Sequence, residues 1–212
     1  MDQADTCAHR ALEGRSPHHD PVVQPVAREG LMAVRPLDGA AIRALVGEVG
    51  DRLAPAGPQH VVVIVGGSLL AWHDLRDSTE DVDRIQRFGD ELRVVIASVA
   101  MEHDLAPDWL NANAAMFTPA SFDRRMCTAL LDRPRLLVLG ARIRDVFIIK
   151  LYRAAPNDVA DMIVMWPHTG FASAREVVEA FYEAYPLAPD DEFLDEFVIG
   201  IAARAGLELP KD

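Results

Sequence analysis

The chain has 212 residues, half of them hydrophobic, and a formal charge of −12 at pH 7. That length suits one domain or one domain with a small appendage, the apolar content argues against global disorder, and the acidic balance argues against non-specific nucleic-acid binding by the whole surface. Its two cysteines, Cys7 and Cys127, fit a reducing cytoplasm rather than a disulfide framework; the N-terminus lacks a signal-peptide pattern, and no apolar run approaches the ~18 residues of a spanning helix.

Residues 1–30 are rich in polar residues, Pro, His and Ala without sustained periodicity, and read as a poorly ordered extension. His18 and His19, without further ligands, read as surface decoration. Residues 31–34 form a candidate short strand. Asp38 then caps a helix in which Ile42, Leu45, Val46, Val49 and Leu53 recur at 3–4 spacing. Pro55 to Pro58 break it and lead into a β-branched run, 61–65, that stops at Gly66-Gly67-Ser68. The pattern predicts strand, tight glycine turn, short amphipathic helix over 69–75, polar turn, then a second strand carrying Asp81 and Asp83 and completed by 84–88.

Two glycines let the backbone approach a ligand closely. A Ser opening a helix presents its hydroxyl and several free backbone N–H groups outward, an arrangement suited to phosphate. Alternate strand residues share a face, so Asp81 and Asp83 project together, about 7 Å apart at Cα. Carboxylates so placed can converge on a hard cation such as Mg²⁺. No Gly-Lys-Ser/Thr and no Gly-x-Gly-x-x-Gly follows the strand, which sets aside the two commonest phosphate-binding motifs. The competing reading is structural: a glycine turn after a buried strand, with Asp81 ending a strand and Asp83 solvated.

Gly89 opens a helix over 90–103, with Leu92, Val95, Ile96, Val99 and Ala100 as its apolar stripe. Residues 107–111, Pro-Asp-Trp-Leu-Asn, start a short turn of helix, Trp109 reads as core, and Asn111 and Asn113 are candidates to line a cleft. The stretch 119–131 has no clear period. Residues 135–139 read as a strand and 142–154 as a helix apolar on most sides. Lys150 lies on its inward face, where an ammonium either snorkels to water or meets an anion in a polar cleft. Asn157 caps a helix from Asp158 to about Met165, with Asp158 and Asp161 one turn apart. Ser173 caps a helix through Ala184. A last helix runs from Asp191 to about Ala205 with Phe193, Leu194, Phe197, Val198 and Ile201 inward, and Gly206 ends it. Eight basic side chains between Asp123 and Arg153 form either a local anion site or partners for the acidic C-terminal helices.

The glycine turn followed by Arg76, Thr79, Asp81 and Asp83 resembles the nucleotidyltransferase superfamily with a polymerase-β-like core. The form Gly-Gly-Ser…Arg-x-Ser-Thr-x-Asp-Val-Asp looks most like the branch containing the abortive-infection (AbiE-type) toxins and their uncharacterised relatives. In that branch a Lys-Leu-containing helix and an Asp-x-x-Asp segment follow, matched here by Lys150-Leu151 and by Asp158 to Asp161; relatives also carry a Pro-x-Trp-Leu-Asn segment. The resemblance spans about 37–185. It implies an α/β (α+β) fold: a small mixed sheet flanked by helices, with a helical C-terminal region. The domain would span 31–212, divided into a sheet-containing core over 31–155 and a helical part over 156–212.

It further implies a cytoplasmic, Mg²⁺- or Mn²⁺-dependent nucleotidyltransferase acting from an NTP onto an acceptor hydroxyl. Gly66, Gly67, Ser68, Arg76 and Thr79 would bind the nucleotide. Asp81 and Asp83 would hold the metal, Lys150 would neutralise charge on the leaving pyrophosphate, and Asp161 would hold Lys150 or accept a proton. The toxin branch makes tRNA or another RNA end the favoured acceptor and an antitoxin protein a partner. The third carboxylate usual in such enzymes cannot be located. That gap and the acidic surface favour the alternative, a catalytically silent nucleotide- or partner-binding module on the same fold; a metal-dependent hydrolase using the same aspartates is a third, weaker reading.

Overall fold

A computed structural model describes residues 35–85 and 89–207. The expected extension 1–30, the candidate strand 31–34, Cys7, the His18-His19 pair and residues 86–88 lie outside the described residues. The described residues form a small mixed sheet flanked by seven helices, an α+β arrangement.

Helix α1 (Gly39–Arg52) begins where Asp38 accepts a hydrogen bond from the Ala41 N–H at 2.7 Å, and it buries the expected Ile42, Val46 and Val49 stripe. Strand β1 (His60–Ile64) follows, with Val62, Val63 and Ile64 fully buried. Helix α2 (Gly66–Trp72) starts directly on the glycine turn, three residues earlier than its sequence pattern suggests. It is buried from Ser68 onward rather than amphipathic. Arg43 of α1 clamps the far end of α2 by donating to the Trp72 carbonyl at 2.8 Å.

The second expected strand is shorter than its sequence implies: β2 is Val82–Asp83 alone, and Asp81 immediately precedes it. Helix α3 (Asp90–Glu102) starts after Gly89 as expected. Residues 107–111 are not helical. They turn into β3 (Leu110–Asn111), which pairs in parallel with β2 and places Asn111 opposite Asp83. Trp109 is buried and donates from its indole nitrogen to the Ile96 carbonyl.

The stretch without clear period contains a 3-10 turn and then β4 (Thr128–Arg133), an edge strand whose half-exposed side chains give no alternation to read. It pairs antiparallel with β5 (Leu136–Gly140), and β5 pairs in parallel with β1, giving the order β1-β5-β4.

Helix α4 (Ile143–Arg153) and helix α5 (Asp158–Thr169), both expected from the sequence, are joined by a short turn containing Pro156. Asn157 precedes α5 but makes no side-chain cap; Asp158 ties the turn instead, accepting from the Ala155 N–H at 3.0 Å. The helix also runs past Met165 through Pro167 to Thr169. A proline in the last turn removes one backbone bond while keeping a helical φ, and Gly170, at φ 73°, ends the helix. Ser173 caps α6 (Ala174–Ala184) as expected, accepting from the Glu176 N–H. Helix α7 (Leu194–Arg204) starts three residues later than its sequence suggests, and Phe193 and Phe197 face outward rather than inward, because Leu194, Val198, Ile201 and Ala202 supply the buried stripe. Among the described residues no helix is long and apolar enough to cross a membrane.

Gly39 sits at the point where α1 meets α2: a Cβ built on it would lie 2.2 Å from the Ala71 carbonyl oxygen. Alanine is the better helix former by about 1 kcal/mol, but the obstacle is backbone and cannot swing away. Gly39→Ala is therefore expected to destabilise the protein by about 1–3 kcal/mol, read as a lowered urea midpoint with an unchanged slope.

Candidate active site

The local structure around β1 explains why the glycines and the acidic pair come together. Past the end of the strand, the Val65 N–H donates to the Asp83 carbonyl at 3.0 Å, and Ile64 bridges Arg84 antiparallel. Asp83 is thereby pinned beside the glycine turn. Gly66 has φ 65°, a left-handed conformation that glycine adopts without strain, and a Cβ there would meet Asp83 Oδ2 at 3.0 Å. Gly67 is enclosed on its other side: a Cβ would lie 2.9 Å from Arg76 Nη1 and 3.0 Å from Thr79 Oγ1. The turn carrying Arg76 and Thr79 is fastened to the entry of α1 by two backbone bonds between Leu37 and Thr79, at 2.7 and 2.9 Å.

These pieces enclose a polar cleft of about 430 Å³. Gly67, Arg76, Thr79, Asp81, Asp83, Lys150 and Asp161 all line it, with Asn113 and Arg153. Of the nine candidate residues, only Gly66 and Ser68 are not in that lining. Gly66 touches it through Asp83. Ser68 departs from its expected orientation: it is 1% exposed, and its hydroxyl donates inward to the Val65 carbonyl at 2.8 Å. The first turn of α2 lacks a side-chain cap at Val65, and the serine hydroxyl folds back onto the nearest carbonyl.

On the opposite wall, α4 and α5 present a knot of charge. Lys150 is 3% exposed, and its Nζ donates to Asp158 Oδ1 and Asp161 Oδ2, both at 2.8 Å. Asp161 also accepts from Arg76 Nη1 at 3.1 Å, so it ties the cation on α4 to the cation beside the glycine turn. Asp158 is fully buried and accepts from Lys150, from Arg153 and from the Ala155 N–H. Burial alone would raise its pKa, but the donations from Arg153 and Lys150 hold the carboxyl below the usual range. The ammonium of Lys150 thus lies within a cleft wall and is satisfied by carboxylates, rather than reaching out to bulk water.

The acidic pair is the less satisfied half. Asp83 is pushed up from the ordinary 3.8 to about 6, first by burial and then by the charge of Asp81. Among the described residues nothing donates a hydrogen bond to the Asp83 carboxylate. Asp81 is also raised, chiefly by burial and further by Asp108 and Glu80, although Asn111 Nδ2 donates to its Oδ2 at 2.6 Å. Two adjoining carboxylates facing one cleft, one of them without a donor, are a donor set for a hard divalent cation, which typically takes one or two carboxylates together with water and substrate phosphate. The residues present therefore fit Mg²⁺ or Mn²⁺. Among the described residues no group of three His, Cys, Asp or Glu side chains could hold a metal, so no third carboxylate joins the pair.

Residues 41–165 match the family described as "Nucleotidyltransferase of unknown function (DUF6036)". The chain belongs to this family. The matched segment runs from α1 to α5 and so contains the glycine turn, the acidic pair and Lys150 with its two aspartates. No curated protein and no solved structure matches the chain.

Two residues that shape this family member's cleft, Arg153 and Asp158, were not singled out as site residues from the sequence. Arg153 lines it three residues after Lys150, and that helical spacing is the signal that puts both cations on one side of α4. Asp158 was legible only as a first-turn acid. Asn111, a candidate for lining, instead braces Asp81 from the neighbouring strand. The basic stretch resolves into pairs: Arg125 with Asp123, Arg133 with Asp51, Arg135 with Glu91, Arg142 with Asp145 and Arg144 with Glu176. Among the described residues of this stretch only Arg144, Lys150 and Arg153 pair with carboxylates of the C-terminal helices.

The state of Asp83 has a thermal consequence. Its folded pKa lies above its unfolded value, so ionising it costs the folded state more than the unfolded one. The fold is favoured below pH 3.8, and that advantage is lost as the pH rises through about 6. In chelator-treated protein, Asp83→Asn is expected to raise the melting temperature at pH 8 and to change it little below pH 4. A variant less stable than wild type at pH 8 would mean that the carboxylate is already compensated.

Proposed function

We propose that the cleft binds a nucleoside triphosphate with a divalent cation and transfers its nucleotidyl group to an acceptor hydroxyl. The observation that carries this reading is the shared cleft, lined together by the carboxylates Asp81 and Asp83, the cations Arg76, Lys150 and Arg153, and the glycine turn at Gly67. In this arrangement Asp81 and Asp83 would hold Mg²⁺ or Mn²⁺, which would supply Lewis acidity and charge neutralisation for the phosphates. Gly66 and Gly67 leave room for phosphate against the backbone, and Thr79 closes that side. Arg76, Lys150 and Arg153 offset negative charge as the bond from the acceptor oxygen to the α-phosphorus forms and the bond to the leaving pyrophosphate breaks. The acceptor proton passes to solvent. Asp161, already gripped by two cations, acts to fix Lys150 and Arg76 rather than to take a proton.

The acceptor proposed from the resemblance to the AbiE-type branch is an RNA end such as that of tRNA, with a toxin role and an antitoxin partner resting on the same analogy. Because most arginines of the basic stretch are held by carboxylates, such an end would be recognised at the cleft mouth rather than along a basic surface. The absence of a third carboxylate among the described residues favours a second reading, a catalytically silent nucleotide-binding module.

One assay separates them. The protein is incubated with each of four α-labelled NTPs, total RNA and Mg²⁺ or Mn²⁺. Metal-dependent label transfer with pyrophosphate release is expected, and Asp81→Asn combined with Asp83→Asn is expected to reduce it at least about a hundredfold. Incorporation unchanged in the double variant removes the assigned mechanism. Calorimetric binding of an NTP with no turnover assigns the silent module.

A further inference from the structure

The sequence pattern places Phe193 and Phe197 on the inward face of α7, yet they are 61% and 44% exposed, and Leu187 in the preceding turn is 96% exposed. Phe193 lines a groove of about 510 Å³ together with the half-exposed Tyr152 and with Leu151, Phe181 and Leu194; Leu187 immediately precedes Ala188, which also lines it, and Phe197 follows Phe193 by one helical turn. Single exposed apolar residues are ordinary, but several gathered at one groove mark an interaction site.

The rim of this groove is acidic, and among the described residues it has no counter-ions. Asp190, Asp191 and Glu192 line it, and Asp195 and Glu196 follow in the first turn of α7. Between Arg175 and Arg204 the sequence contains no Lys or Arg at all. Among the described residues none of these five carboxylates takes part in a salt bridge; Asp191 alone is engaged, accepting from the Phe193 N–H at 2.9 Å.

The groove is also pre-formed. Tyr152 stacks on Tyr185 with ring centroids 3.9 Å apart and planes within 9°, and the Tyr185 hydroxyl donates to the Phe117 carbonyl. On the other side the Tyr182 hydroxyl accepts from the Asp191 N–H at 2.9 Å, fixing the turn that carries the rim. A surface held in its binding shape loses little entropy on association.

We propose that this groove is a docking site for a basic amphipathic helix of a partner protein, its apolar side chains seated beside Phe193 and Tyr152 and its lysines or arginines facing the carboxylate rim. The charge selects among occupants. A second copy of this chain meeting the groove through a twofold axis would set the acidic rim against itself. Nucleic acid and anionic lipid are repelled by the same carboxylates. A helix with an apolar stripe and basic flanks satisfies both the floor and the rim. The occupant would lie along the side of α4 that carries Leu151 and Tyr152, while Lys150 and Arg153 of the same helix line the cleft. The proposal does not depend on the reaction assigned to that cleft.

The test uses the full chain and a labelled synthetic peptide of about 18 residues, with leucines at i, i+3, i+4 and i+7 and lysines elsewhere. Fluorescence anisotropy is expected to show saturable one-site binding. Leu187→Ser with Phe193→Ser is expected to weaken it at least about tenfold. Asp190→Asn, Asp191→Asn and Glu192→Gln together are expected to weaken it and flatten its salt dependence. Because the substituted side chains are exposed, melting temperatures close to that of wild type are expected and would show that the variants fold. Three results overturn the proposal: no saturable binding to the full chain, equal binding of a scrambled peptide of the same composition, or self-association of the wild type that Leu187→Ser with Phe193→Ser abolishes, which would assign the face to a second copy.

Discussion

A single backbone hydrogen bond, from the Val65 N–H to the Asp83 carbonyl, sets the distance between the glycine turn and the acidic pair. Val65 is itself buried and directly follows a buried strand, and Val82, next to Asp83 on β2, is fully buried, so neither end of this bond can shift without disturbing the core. The consequence is electrostatic. Asp83 is held half-buried beside Asp81 with no hydrogen-bond donor among the described residues, and its ionisation is disfavoured. A fold tolerates such a group where a ligand compensates it.

The facing wall solves the opposite problem. A buried ammonium is costly unless it is paired and hydrogen-bonded. Lys150 meets two carboxylates, and each of these also binds an arginine, Asp158 through Arg153 and Asp161 through Arg76. The three cations are thus fixed in place before any anion arrives. Little reorganisation is left for the moment of binding, which is the condition under which fixed charges stabilise developing phosphate charge. The two sides differ in kind: the cations are satisfied by carboxylates, while the Asp83 carboxylate has no hydrogen-bond donor among the described residues.

Much of this was legible in the residues themselves. Gly66-Gly67 after a β-branched run, and Asp81 two residues before Asp83, announced a turn and a shared direction because both follow from short-range geometry. The Lys150–Asp161 contact was expected only through the resemblance, which gave Asp161 the role of holding Lys150. What was not legible depended on tertiary context. The Ser68 hydroxyl turns inward because a carbonyl three residues back is nearer than the cleft. Strand β4 gave no alternation because it is an edge with both faces half exposed. Residues 107–109 turn and Leu110–Asn111 pair with β2 instead of forming a helix, a tertiary contact that no local propensity records. The apolar pattern of α7 fitted Phe193 and Phe197 inward, but the helix begins at Leu194 and its buried stripe is filled by Leu194, Val198, Ile201 and Ala202.

The central claim is that Asp81 and Asp83 jointly hold a divalent cation facing phosphates that rest against Gly67, Arg76 and Lys150. Crystals grown with Mn²⁺ and a non-hydrolysable NTP analogue test it directly through anomalous scattering. The expected result is a peak about 2.0–2.3 Å from a carboxylate oxygen of each aspartate, with analogue phosphate oxygens completing its coordination. A cleft in which the two carboxylates turn away from the manganese, or an analogue whose phosphates lie elsewhere on the protein, would contradict it.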